Sequence, residues 1–172
     1  PIHNEDELVL PEVSAPGEGY TTIVLYIPES DCDEAIPYAI GSIPGDGDWE
    51  NQEELRMTRC EGYDDWWKVT VDALTEENAT NFKFRMEDGE GGWSMEPKAS
   101  YELLKGSDQY LEIKPGELNN LRVIADCENQ VLYLKSGKWS NTPCREPVPA
   151  GRAKFVLTVT GLVPEDAEIV FT

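Results

Sequence analysis

The sequence has a single histidine, no C-x-x-C pair, and far too few basic residues to balance its acidic ones. It also has no run of about eighteen apolar residues, the length a membrane-crossing helix would need. Each lack excludes something. His3 stands alone near the start of the chain, so no Ser–His–Asp set can be assembled. Without paired histidines or closely spaced cysteines, a zinc site has no ligand set. Lys and Arg number 14 against 34 Asp and Glu, a net charge of −20. A field of that sign repels phosphate, so nucleic acids and anionic membrane surfaces are not expected partners. Neither a phosphate-binding loop nor a dinucleotide fingerprint is present. The stretch EDGEGGW (87–93) reads as a hairpin loop, because no helical pattern follows it. Carboxylates are so abundant that finding two close together means little. A glycosidase needs a cleft that raises the pKa of one of them, which a small sandwich with exposed loops seldom builds. The expectation is therefore a protein that is not an enzyme and has no cofactor.

What remains is globular in composition, with 40% hydrophobic and 9% aromatic residues. The first residues, PIHNEDELVL, show none of the basic, apolar and small-residue regions of an export signal. If the protein is exported, the exporting or anchoring segment is expected to lie outside this chain. Residues 1–19 read as an acidic, Pro/Gly-rich lead-in. Short strand-type runs then follow at intervals near ten residues. They are YTTIVLYIP (20–28), AIPYAIGSI (35–43), LRMTRCE (55–61), WWKVTVDAL (66–74), NFKFRMED (81–88), QYLEIKPG (109–116), NLRVIAD (120–126) and QVLYLKSG (130–137). No segment carries a strong helical period. The pattern predicts an all-β antiparallel sandwich of immunoglobulin-like layout over residues 20–140.

The end of the chain repeats the layout of its beginning. Both PAGRAKFVLTVTGLVPEDAEIVF (149–171) and APGEGYTTIVLYIPESDCDEAIPYAI (15–40) run from a Pro/Gly lead through a strand and an acidic turn to another strand. Residues 141–150 then read as a linker, and 151–172 as the first two strands of a second module. The alternative is that 151–172 supply the last strands of the same sandwich. Cys32, Cys60, Cys127 and Cys144 allow two disulfides in three connectivities, or four free thiols. Disulfides are favoured only in an exported protein.

The tryptophans carry the functional reading. GSIPGDGDWE (41–50) is a wet, glycine-rich loop that ends in Trp49. Lys83 and Arg85 share one face of their strand, opposite Phe82, Phe84 and Met86. Trp93 lies in a second glycine loop, EGGWSM. Trp67 alternates in phase with Val69 and Val71 and reads as core. Trp66 therefore points the other way, beside Asp64 and Asp65, and reads as a surface residue. A sugar ring has an apolar face and polar edges, so a flat indole can cover the face while charged side chains bond the hydroxyls. The order of Gly41–Trp49, the W-x-V-x-V strand at Trp67–Val71, Phe82-Lys83-Phe84 and Trp93 resembles the starch-binding domains of glucoamylases and related amylases, the twentieth family of carbohydrate-binding modules. The resemblance spans residues 36 to about 103 and implies a starch-binding-type β-sandwich.

That resemblance implies a main site in which Trp49 and Trp93 stack on successive glucose units while Lys83 donates hydrogen bonds. It implies a second contact at Trp66 or Trp67. The longer first strand and the extra strands after residue 105 are similar in layout to repeated sandwich modules of bacterial surface lipoproteins that capture glycans. Localisation at a bacterial outer surface, neighbouring modules and an oligo- or polysaccharide partner follow as expectations, with Trp49, Lys83, Trp93, Trp66 and Arg85 as binding residues. The competing reading is a structural spacer or adhesion module whose tryptophans plug the core. The acidic stretches SDCDE and GDGDWE invite calcium. Yet after Asp46, Asp48 and Glu50 the sixth loop position is Asn51 and the twelfth is Met57, which departs from the twelve-residue calcium loop. No metal is expected, and a structural calcium ion held in another geometry is the alternative.

Overall fold

The computed structural model describes residues 8–27, 36–43, 55–87, 94–95 and 100–137. The described residues form ten strands: β1 (Tyr20–Tyr26), β2 (Ile36–Gly41), β3 (Thr58–Arg59), β4 (Trp66–Asp72), β5 (Phe82–Glu87), β6 (Ser94–Met95), β7 (Glu102–Leu104), β8 (Leu111–Ile113), β9 (Leu121–Val123) and β10 (Gln130–Lys135). A single turn of 3₁₀ helix at Ser107–Gln109 sits between β7 and β8. The strands make two sheets. One has the order β3-β4-β1-β10-β7, and the other β2-β5-β9-β8, with β6 also paired to β5. The chain is an all-β sandwich. The linker at 141–150, the segment 151–172, and Cys32 and Cys144 lie outside the described residues.

Alternation sets the two layers. In β5, Phe82, Phe84 and Met86 are buried, while Lys83, Arg85 and Glu87 are half-buried on the outward side. Period-two patterning does this because successive side chains leave a strand on opposite faces. The main core lies between the sheets. It joins Ile23, Leu25, Leu132 and Leu134 from one layer to Phe82, Phe84 and Leu121 from the other. Trp67, Val69 and Val71 belong to it as well. The Pro115-Gly116 pair closes the β8–β9 turn, with the Glu117 amide donating to the Lys114 carbonyl at 3.0 Å. Gly116 has φ of 81°, which the third position of such a turn requires and glycine adopts without strain.

Two features depart from an antiparallel meander. First, β1 and β10 pair in parallel, from Thr21 opposite Gln130 to Tyr26 opposite Lys135. β1 is central and five consecutive residues, Thr21 to Leu25, are buried. A strand covered on both faces reads as a continuous apolar run, and such strands tolerate parallel neighbours. Second, residues 55–59 cross between the layers. The Met57 amide donates to the Pro37 carbonyl at 2.9 Å, and Arg56 bridges Tyr38 of β2. Thr58 and Arg59 then pair with Lys68 and Trp67 of β4. This crossing ties one edge of each sheet to the other.

The outer face of the first sheet is also covered, by the segment expected to be a simple lead-in. Val24, Cys60, Trp66 and Tyr133 form a second buried cluster, and Leu8, Leu10 and Val13 pack on it. Pro11 is buried, and the Tyr133 hydroxyl donates to its carbonyl at 2.9 Å. Gly17 and Gly19 then fasten the chain to the end of the sandwich, their amides donating to Asn129 Oδ1 at 2.9 Å and Glu128 Oε1 at 2.5 Å.

Candidate functional site

The outward row of β5 brings together two of the five expected binding residues. Lys83 and Arg85 are two positions apart on one face, which places their Cα atoms roughly 7 Å from each other. Across the ladder, Lys83 pairs with Ile40, Arg85 with Tyr38, and Glu87 with Ile36. Arg85 Nη2 contacts Glu87 Oε1 at 2.6 Å. Its Nε is buried and has no hydrogen-bond partner among the described residues. On the same face farther along the sheet, Arg122 of β9 contacts Glu112 of β8.

This is not an ordinary solvated face. Tyr38 is 4% exposed and Ile40 1% exposed, although both lie on the outward side with the two cations. Partial desolvation strengthens the hydrogen bonds a cationic donor can make. The sequence carried a signal for this in PYAI (37–40), an apolar run without alternation, which is the mark of a strand buried on both faces. Neither Tyr38 nor Glu87 was singled out from the sequence, yet they are the residues that frame the row. Trp49 and Trp93, the expected stacking platforms, lie outside the described residues, as do both acidic stretches considered for calcium.

Trp66 is corrected by the structure. It does point away from the inter-sheet core, as its alternation requires, but it is only 3% exposed. Its ring centroid lies 5.0 Å from that of Tyr26 with planes at 54°, and 6.4 Å from that of Tyr133 at 81°. Tilted and edge-on rings interlock as a core does. They offer no common plane for a sugar. The physical reason is the cover supplied by residues 8–13. Trp66 also lies on the opposite outer face of the sandwich from Lys83 and Arg85, across a packed core about 10 Å thick. The two cannot share one ligand. Trp67 is core as expected, 7% exposed, with the Arg59 guanidinium 4.9 Å above its ring. The second contact implied at Trp66 or Trp67 therefore has no open ring face in this structure.

Three titratable groups among the described residues have their pKa raised by burial. Burial pushes the Cys127 thiol up to about 11, eased by the Thr21 hydroxyl and reinforced by Asp126. Burial also raises Cys60, with Lys68 opposing. It raises Tyr133 as well, where a backbone hydrogen bond at Val13 opposes and Cys60 and Glu12 add to the shift. Cys60 and Cys127 are free, buried thiols. No group of three or more His, Cys, Asp or Glu side chains that could hold a metal occurs among the described residues. No helix among them is long and apolar enough to cross a membrane. In comparisons with known proteins, the chain matches no family model, no curated protein and no solved structure.

Proposed function

We propose that this chain is a non-catalytic carbohydrate-binding module, with an α-glucan as its first ligand. The supporting observation is the outward row of β5. Lys83 falls where the resemblance to starch-binding domains implies a hydrogen-bond donor. It stands with Arg85 on a half-buried face lined by Ile40 and Tyr38. A ligand with apolar faces and a rim of hydroxyls suits that mixture better than a fully charged or fully apolar partner does. Trp49 and Trp93 are the proposed stacking rings. Trp66 is not part of this site. The proposal extends to a bacterial surface protein built of several such modules, where modest affinity per module adds through effective concentration.

A second reading, a spacer or adhesion module without a sugar site, is favoured by one observation. Trp66 and Trp67 are both spent on packing. Calorimetric titration with maltoheptaose, with a β-glucan oligomer of equal length as control, separates the two. The proposal expects saturable binding of the α-glucan alone. Trp49→Ala should abolish it, and Lys83→Ala should weaken it about tenfold through loss of a charged donor. Absence of heat with either sugar, from a folded protein, would leave the spacer reading in place.

A further inference from the structure

The segment that covers Trp66 is attached differently from everything beneath it. β1 is held by full ladders to β4 on one side and β10 on the other. Leu8 to Val13 belong to no strand. Leu8, Leu10 and Val13 are only half-buried, Glu12 is exposed, and Val9 is 69% exposed. Among the described residues its hold on the sheet is the burial of Pro11 and three half-buried side chains, with the Tyr133 hydroxyl bonded to the backbone at Pro11 and Val13. Behind it come Ser14, Ala15 and Pro16, then the two glycines anchored to Asn129 and Glu128. Gly17 and Gly19 have φ of 102° and 84°, with open space where a Cβ would stand.

From this we infer that Leu8–Val13 is a detachable strap, opening as a unit about Gly17–Gly19 while both sheets stay intact. Regions with few buried apolar contacts and no ladder open at a fraction of the global unfolding free energy. The anchors at Gly17 and Gly19 set the pivot, because they fix the chain to the end of the sandwich on the near side of the strap. Opening bares one contiguous cluster: Val24, Cys60, Trp66 and Tyr133, bordered by Tyr26, Tyr63, Leu104 and Val131. The cluster between the sheets, which contains Cys127, stays closed. The strap thus acts as a gate over an aromatic sheet face, and the inference does not depend on any sugar being bound at β5.

The two thiols report on the two clusters. In a Cys32→Ser, Cys144→Ser background, labelling of Cys60 and Cys127 by a thiol reagent is followed across urea concentrations below the unfolding transition. Cys60 is expected to react through strap opening, with a rate nearly independent of urea. Cys127 is expected to react only as global unfolding becomes accessible, with a steep urea dependence. Leu10→Ala should speed labelling of Cys60 about tenfold and leave that of Cys127 nearly unchanged, since a half-buried leucine contributes on that scale. Tyr133→Phe, which removes the hydroxyl's bonds to the backbone at Pro11 and Val13, should act in the same direction. Equal urea slopes for the two thiols would overturn the inference. So would a Leu10→Ala variant that leaves Cys60 labelling unchanged, or that speeds both thiols equally.

Discussion

Thr21 is completely buried, and its hydroxyl joins three parts of the chain. It donates to the Cys127 carbonyl at 2.8 Å and accepts from the Leu74 amide at 3.0 Å. The Cys127 thiol in turn donates to the Leu74 carbonyl at 3.3 Å. The neutral thiol is thus the form the fold prefers, which is why burial carries it to about 11 from its ordinary 9.0. A proton held more tightly in the folded state stabilises it fully below pH 9.0, and that contribution is lost as pH rises through about 11. Under reducing conditions the urea midpoint should fall between those limits. Cys127→Ala should start lower at pH 8 and decline less steeply. A slope equal to the parent's would remove the thiol from this role. Residue-level legibility was uneven. Lys83 and Arg85 were placed correctly on one face by counting in twos. Trp66 was placed on the correct side and given the wrong environment. Alternation tells which way a side chain points and is silent on whether another segment lies on top.

Strands with a consistent pattern were readable as elements. WWKVTVD and FKFRME became β4 and β5, within two residues of their expected bounds at either end. The non-alternating run in β1 was read only as a strand; the segment 8–13, packed on the cluster that includes Val24, gives its outer face cover. Three-residue β7 and two-residue β6 are too short to show a period, so only their ladder partners define them. The parallel pairing of β1 with β10 is a long-range choice that no local pattern encodes. The crossing at 55–59 was expected only as one more alternating strand. Its role is testable through Met57, which is 1% exposed and sits where the chain passes from one sheet to the other. Met57→Ala should cost about 2–5 kcal/mol in urea unfolding, by cavity formation in the core. Thr58→Ala, at an exposed position on the same crossing, should stay within about 0.5 kcal/mol. Similar losses from the two changes would mean that the crossing is not a packed joint.

At the scale of the whole molecule the net charge of −20 dominates. Only a few of the acids are matched by cations in the described residues, as in the pairs Arg122–Glu112 and Lys114–Glu117. Self-repulsion of this kind opposes the compact state and is screened within a Debye length that falls from about 30 Å at 0.01 M salt to about 3 Å at 1 M. Raising sodium chloride from 0.01 to 0.5 M should therefore raise the melting temperature on the order of 5 °C. A melting temperature that stays level or drops would show that the charges are already compensated within the fold.

The parallel pairing of β1 and β10 also gives the sandwich a mechanical character. Two strands that run side by side in the same direction receive the chain at one end of the sheet and release it at the other. Tension applied through the flanking chain therefore loads that ladder lengthwise. Its hydrogen bonds must slide and fail together, where an antiparallel hairpin pulled from its open end would unzip one bond at a time. The strap would peel first, at low force, lengthening the tether while the two sheets hold. A sandwich arranged in this way is expected to extend softly at first and then to hold against a hard stop.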